Sequence, residues 1–310
     1  MSETSGREER MVVTSDENRR LDALAVLHGV GEDALVESAG RAAAAWILDH
    51  ASVRRVLLLV GPGGNGADAL VVARCLRQSR VEVQAFRVAA ARSSPRVDRA
   101  LLALQNDGGG VASVDSGDLA PVEQALAACD LVIDGLYGSG LARPLEGVAA
   151  RLVGLVNGSR KRVIALDIPS GVAADAGEVP GPAVRADITL AMEFLKPAHL
   201  LFPAAGLRGN VSVVPVAYPA ETLGAARPWA RVLERGGVAR RLPTRPPTGH
   251  KGTFGHVLLV AGSADMVGAA ILAGRAALRS GAGLVTVGVA ASQAAAVHAG
   301  LPEALVAPLP

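Results

Sequence analysis

Short apolar runs, each closed by turn residues, alternate along this chain with segments of helix length. They fall at 56–60 (VLLLV), 82–87 (EVQAFR), 131–134 (LVID), 163–167 (VIALD), 187–192 (DITLAM) and 211–215 (VSVVP). A strand with few polar positions must be buried on both faces. Strands separated by helix-length stretches pair in parallel through crossovers. The pattern therefore predicts an α/β fold: a three-layer, doubly wound, mostly parallel, Rossmann-like sheet. Ahead of the first run, Leu21, Leu24, Ala25 and Leu27 fit one helical face that Thr14 or Ser15 would cap, and a second helix is predicted over 32–49.

The texture changes near residue 218. Segments such as RRLPTRPPTGH are rich in Pro, Arg and Gly, so 221–249 reads as a linker. A new unit follows, with HVLLVAGS at 256–263, a helix over about 267–280 and LVTVGV at 284–289. Residues 301–310, LPEALVAPLP, read as no third strand of useful length. The expected organisation is a disordered tail over 1–10, a main domain over 11–220, the linker, and an incomplete α/β segment over 250–310. Two parallel strands cannot cover both their faces, so the region beyond about residue 230 is expected to be the least stable.

Composition excludes several partner classes. Thirty-one basic residues nearly balance 29 acidic ones, and aromatics are 3% of the chain, so no basic stripe or stacking platform points to nucleic acid. No apolar run reaches the roughly 18 residues that would span a membrane. The polar start MSETSGREER is no signal peptide. Cys75 and Cys129 lack CxxC spacing, which fits a reducing cytosol and predicts a cytoplasmic protein. A homo-oligomer is compatible with the sequence without being required by it.

One loop carries the strongest ligand signal. In LLLVGPGGNGADALVVAR (57–74) the spacing Gly61-x-Gly63-x-x-Gly66 is that of a dinucleotide-binding turn, where backbone N–H groups at a helix N-terminus hold phosphate. The same spacing also serves a plain, tight strand-to-helix turn. No acidic residue closes the second strand to bind a ribose, although Arg87 stands there, and no GK[ST] follows the glycines. Two more loops follow buried strands, DGLYGSGLARP at 134–144 and DIPSG at 167–171. In an open parallel sheet all three gather at the carboxyl edge, where ligands bind. Asp134, Asp167, Asn65, Asp68 and Ser170 would meet there, and such oxygen donors suit a hard cation.

With LVESAG (35–40), GPGGNGADALVVAR (61–74), DGLYGSGLARPLEG (134–147), ALDIPSGVAADAGEVPGPAVRADITLAM (165–192) and FLKPAHLLFPAAGLRGNVSV (194–213), residues 11–218 resemble the NAD(P)H-hydrate epimerases of nicotinamide-nucleotide repair. The stretch 250–289 is similar to the start of the ADP- or ATP-dependent NAD(P)H-hydrate dehydratases, which have a ribokinase-like fold and are often fused in this order. The resemblance implies that the dinucleotide is substrate rather than redox cofactor, and that R and S hydrates of NADH and NADPH are interconverted. It implies one K+ per subunit held by Asn65, Asp134 and Ser170. It places the hydrate against Gly64, Asn65, Gly66, Ala67 and Asp68, against Gly138, Ser139, Gly140, Leu141, Ala142, Arg143 and Pro144, and against Asp167, with Ala269 carried over from the second segment. The dehydratases' nucleotide loop and catalytic Asp have no counterpart before Pro310, so nucleotide-driven dehydration is not expected from this chain. The family's loop usually reads Asn-Asn-Gly-Gly-Asp-Gly, whereas this chain has Gly64, Ala67 and Ala69 in place of its first Asn and two glycines. Those alanines would be strained if the loop needed positive φ.

Inverting the hydrated carbon calls for loss of the hydroxyl with acid help and return of water from the other face, hence a proton-transfer group beside the ring. Asp167 is the first candidate and Lys196 the second. Lys161, Lys196 and Lys251 are the chain's only lysines, and Lys196 reads equally as a solvated strand-end charge; His199 reads as structural. The rival readings are an NADP-dependent oxidoreductase, drawn from the glycines and Arg87, and a non-catalytic nucleotide-binding module.

Overall fold

The computed structural model describes residues 9–89, 93–115, 118–141, 143–263 and 265–310. The chain forms two compact units, Met1–Val238 and Ala239–Pro310. Elements of the first unit run in the order β1 (Glu9–Val12), α1 (Ser15–Leu27), α2 (Glu32–His50), β2 (Arg55–Val60), α3 (Gly64–Gln78), β3 (Glu82–Val88), α4 (Pro95–Asn106) and β4 (Val111–Val114). They continue with α5 (Ala120–Ala128), β5 (Leu131–Gly135), α6 (Gly147–Gly158), β6 (Arg162–Leu166), β7 (Ile188–Met192), β8 (Asn210–Val214), α7 (Ala220–Gly224) and β9 (Ala230–Leu233). Helix α8 (Arg235–Arg241) spans the division.

Seven strands form one sheet in the order β4-β3-β2-β5-β6-β7-β8, and every pair is parallel. Alternation along β2 explains the three layers. Val56, Leu58 and Val60 face one core with Ile47, Leu70 and Leu104 from α2, α3 and α4. Leu57 and Leu59 face the other, with Leu126 and Leu152 from α5 and α6. Both faces are covered, as near-continuous apolar strands require. Thr14 caps α1 by accepting from Glu17 N at 3.3 Å, and Ser94 with Pro95 opens α4 in the same way.

Elements without an apolar run escaped the sequence pattern. Edge strand β4 buries only Val114 among VASV. Strands β1 and β9 pair antiparallel as a separate ribbon. The expected tail over 1–10 therefore ends in a strand at Glu9 and Arg10, and residues 1–8 lie outside the described set. The stretch read as linker, 221–249, includes most of α7, all of β9 and α8.

The second unit contains β10 (His256–Val260), α9 (Val267–Arg279), β11 (Leu284–Ala290), α10 (Ala294–Gly300) and β12 (Leu305–Leu309). The expectation of no third strand is corrected: β12 pairs parallel with β11, in the order β10-β11-β12. Pro308 lies in β12, an edge strand, where a missing N–H is tolerated. Val285, Val287 and Val289 pack with Ala270, Val297 and Leu301 on one face, while Leu258, Val260 and Leu305 are exposed.

Two glycines of the first turn are steric necessities. A Cβ on Gly61 would lie 1.5 Å from Leu136 O, and one on Gly66 would lie 2.0 Å from Gly61 O. Among the described residues nothing lies within 4 Å of a Cβ on Gly63 or Gly64. Overpacking at such contacts costs about 1–3 kcal/mol. In chemical denaturation Gly66→Ala should lose at least that much stability, whereas Gly64→Ala should stay within about 0.5 kcal/mol of the parent.

Candidate functional site

The sheet order places the site. The order in which strands are added reverses at β2: the chain goes out through β3 and β4 on one side, then continues from β5 on the other. Loops leaving β2 and β5 diverge at their carboxyl ends, and a crevice opens there. It is a cleft of about 430 Å³ lined from the loops after β2, β5 and β6, from α1 and α2, and from the segments around Lys196 and Tyr218.

Helix α3 begins inside the glycine turn at Gly64. No residue between 61 and 69 has positive φ, so Ala67 and Ala69 are ordinary helical residues and the expected strain is absent. Asn65 is 8% exposed, and among the described residues neither its Oδ1 nor its Nδ2 has a hydrogen-bond partner. A buried amide left so is costly unless a ligand or ion completes it.

Asp134, at the end of β5, is fully buried. Its Oδ2 accepts from Ser170 N at 2.8 Å, and its Oδ1 accepts from Ser170 Oγ at 2.6 Å and Leu136 N at 3.2 Å. Burial pushes the Asp134 carboxyl up despite these donors, and among the described residues no cationic side chain offsets it. Among the described residues, no group of three or more His, Cys, Asp or Glu side chains is arranged to hold a metal ion. An ion at this edge would rest on mixed amide, carboxylate and hydroxyl oxygens, which suits a hard monovalent cation.

Asp167 follows β6 with φ +61°, and its N–H donates to Leu190 O at 2.8 Å. Lys196 is 1% exposed, and its Nζ lies 2.5 Å from Asp167 Oδ1, so the reading of a solvated strand-end charge is overturned. His199 holds both partners by the backbone. Its Nδ1 accepts from Lys196 N at 2.9 Å, and its Nε2 donates to Asp167 O at 2.8 Å. Burial, then the Lys196 charge, depress the His199 imidazole to about 4, so it is neutral and able to play both parts.

The predicted site residues separate into groups. Gly64, Asn65, Asp68, Gly138, Ser139, Gly140, Leu141, Asp167 and Lys196 line the cleft. Gly66 and Ala67 are buried within α3, outside the lining; Arg143 and Pro144 are exposed, also outside it. Ala142 lies outside the described residues, and Ala269 is exposed on α9 of the second unit. Asp134 and Ser170 sit together beneath the lining.

Several cleft groups escaped the sequence reading. Asp22 on α1 accepts from Tyr218 Oη, and burial raises its carboxyl. Half-buried Asp68, which the sequence reading did name, is pushed well up by desolvation and then by the Asp167 and Asp22 charges. Arg96 on α4 pairs with Glu32 at 2.7 Å. Ser15 N donates to Asp175 Oδ1 at 2.7 Å and its Oγ to Ser139 O at 3.0 Å, tying α1 to the 138–144 loop. Asp22 lies mid-helix, about two turns past the Thr14 cap, with no local signal to mark it; its partner Tyr218 lies 196 residues away.

Comparison with known proteins agrees with this architecture. A family model described as "YjeF-related protein N-terminus" matches residues 32–198, and one described as "NAD(P)H-hydrate dehydratase" matches residues 257–310. Among curated proteins, the chain is similar to the "Bifunctional NAD(P)H-hydrate repair enzyme Nnr" of Thermofilum pendens, at 37% identity over 83% of this chain and 48% of the relative. The enzyme of that name from Moorella thermoacetica is 34% identical over 90% of this chain and 54% of the relative. The one from Synechocystis is 34% identical over 96% of this chain and 56% of the relative. The chain thus spans about half the length of the curated relatives it matches. A crystal structure of yeast ynu0, YNL200c, superposes with TM-score 0.60 at 19% identity, covering 71% of this chain and 95% of that one, which is a likeness of fold.

His199 generates a pH prediction. Its folded pKa of about 4 lies below the ordinary 6.5, so the unfolded chain binds the proton first as pH falls. Its contribution is complete above about pH 6.5 and is lost on acidification towards pH 4, on the order of 3 kcal/mol in all. Denaturation series at pH 7 and pH 4.5 should show His199→Asn much less stable than the parent at pH 7, with the gap narrowing at pH 4.5.

Proposed function

Because the chain belongs to the YjeF-related N-terminus family, whose model matches residues 32–198, we propose that its first unit interconverts the R and S hydrates of NADH and NADPH. The observation that carries this reading is the buried Asp167–Lys196 pair facing a cleft between glycine loops. The open Cβ positions of Gly63 and Gly64 leave the start of α3 free for a phosphate-bearing ligand. In this reading the dinucleotide is the substrate and no redox cofactor is needed.

The chemistry is proton transfer at one ring carbon. Protonation of the hydroxyl lets it leave as water, and the ring nitrogen's electron pair forms an iminium. Water then adds from the opposite face and gives up a proton. Asp167 is the group placed to give and take a proton, and Lys196 balances its charge at 2.5 Å in a site shielded from water. Asp22, Glu32, Asp68 and Asp167 line the cleft; burial raises the Asp22 and Asp68 carboxyls, and the Asp167 and Asp22 charges raise Asp68 further.

A potassium ion fits the residues beneath. Among the described residues Asn65 Oδ1 has no partner and no cationic side chain stands by the buried Asp134 carboxyl, while the Ser170 hydroxyl is bonded to Asp134. Asn65, Asp134 and Ser170 would hold the ion, which would supply positive charge and join the loops after β2, β5 and β6. The protein's own part is to keep these donors dry and fixed. Cys75 and Cys129 are free thiols. No helix among the described residues is long and apolar enough to cross a membrane.

The direct test is chromatography of purified R-hydrate incubated with the protein and no added nucleotide. S-hydrate should form far faster than in the blank, and Asp167→Asn should lose about 100-fold or more in kcat. A rate equal to the spontaneous one at high protein concentration would refute the reading. For the ion, Asp134→Ala should weaken hydrate binding and abolish any dependence of rate on potassium. A variant that keeps the parent's potassium response would place the ion elsewhere.

A further inference from the structure

The cleft contains a carboxyl that this chemistry leaves unused. Asp22 belongs to α1, a wall distinct from the sheet edge that bears Asp167 and Lys196. Its Oδ1 accepts from Tyr218 Oη, with Asn18 Nδ2 at 3.5 Å, and among the described residues nothing bonds its Oδ2. Tyr218 is fixed in turn by its ring against Phe194, 5.5 Å between centroids. Asp22 and Tyr218 both fall outside the residues 32–198 that the family model matches. An acid that lines a ligand cleft, with one oxygen anchored and the other unbonded, is suited to proton exchange.

Inversion needs proton transfer on both faces of the ring. The leaving hydroxyl must gain a proton on one side, and the entering water must lose one on the other. A single carboxyl on one wall reaches one face. We propose that Asp22 is the second proton-transfer residue of the cleft, acting from α1 while Asp167 acts from the sheet edge; this rests on the epimerase reading above. In one direction the Asp22 O–H proton passes to the hydroxyl oxygen, the carbon–oxygen bond breaks, and water departs with its electron pair. The ring nitrogen's pair closes the C=N bond. Water then attacks the carbon from the other face, the C=N pair returns to nitrogen, and the surplus proton goes to the Asp167 carboxylate. One proton has crossed from Asp22 to Asp167, and the reverse reaction carries it back. Nothing is oxidised or reduced.

The surroundings suit an acid that keeps its proton. Burial pushes the Asp22 carboxyl up; the Tyr218 hydrogen bond, Arg96 and Lys196 pull it down, and Asp167 pushes it up again. Asp68 faces it from α3. Arg19, on its own helix, is paired with Asp16. Tyr218 stabilises the ionised form, so removing its hydroxyl should hold the proton more tightly.

The test is the pH dependence of kcat/KM for R-to-S conversion by the full chain, for the parent, Asp22→Asn and Tyr218→Phe, with thermal melts for folding. Asp22→Asn should lower kcat about 100-fold, leave KM within about threefold, and remove the fall in rate at alkaline pH. Tyr218→Phe should move that alkaline fall to higher pH. Asp22→Asn within about threefold of the parent, with the alkaline fall unchanged, would overturn the proposal. Should Asp22→Asn fail to fold, an alkaline fall unmoved in Tyr218→Phe would overturn it equally. A parent without activity would instead bring down the epimerase reading, and this inference with it.

Discussion

A lysine buried to 1% exposure holds an aspartate carboxylate 2.5 Å away, and the rest of the cleft is arranged around that pair. Two charges removed from water survive only with close geometry and satisfied neighbours; losing one partner costs about 3–5 kcal/mol. Here the neighbours are backbone and imidazole. The Leu190 carbonyl takes the Asp167 N–H, and neutral His199 takes the Lys196 N–H while donating to the Asp167 carbonyl. Asp167 accepts a left-handed backbone at φ +61° to remain in this frame. Strain in a non-glycine residue beside a ligand cleft is what a site held by its surroundings looks like.

The sheet brings the other parts to this pair. The reversal between β3 and β5 opens the crevice, while contact of Gly61 with Leu136 O and of Gly66 with Gly61 O draws the strand ends and α3 together. That packing seats the Asn65 amide near Asp167 and Gly138: a Cβ on Gly138 would lie 3.4 Å from both. Asp134 and Asp167 close adjacent strands yet meet different surroundings. One is satisfied by N–H and O–H donors beneath the cleft, the other by a cation inside it. Two aspartates in equivalent strand-end positions thus sit in different electrostatic settings.

The sequence carried the parallel sheet, because a strand buried on both faces leaves an uninterrupted apolar run. It also carried the strand-end carboxylates, because each closes such a run. What stayed illegible was long-range or polar. Strands β1, β4 and β9 are edge or ribbon strands with mixed faces, so they have no run to find. Residues 301–310 were read as no third strand of useful length, yet Leu305–Leu309 pairs parallel with β11, and an edge strand accepts Pro308. Asp22 looks like any polar helix residue until Tyr218, 196 positions on, is folded against it. The glycine spacing was legible but ambiguous. Gly61 and Gly66 answer to packing, and Gly63 and Gly64 to an open cleft.

The central claim is that this cleft inverts a hydrated carbon by releasing and recapturing water. Its most direct test is mass spectrometry of the S-hydrate formed from R-hydrate in ¹⁸O-labelled water, at times short against spontaneous exchange. The account predicts one labelled oxygen in each inverted product molecule. Inverted product that retains the original oxygen would contradict it, since the carbon would then have turned over without losing its hydroxyl.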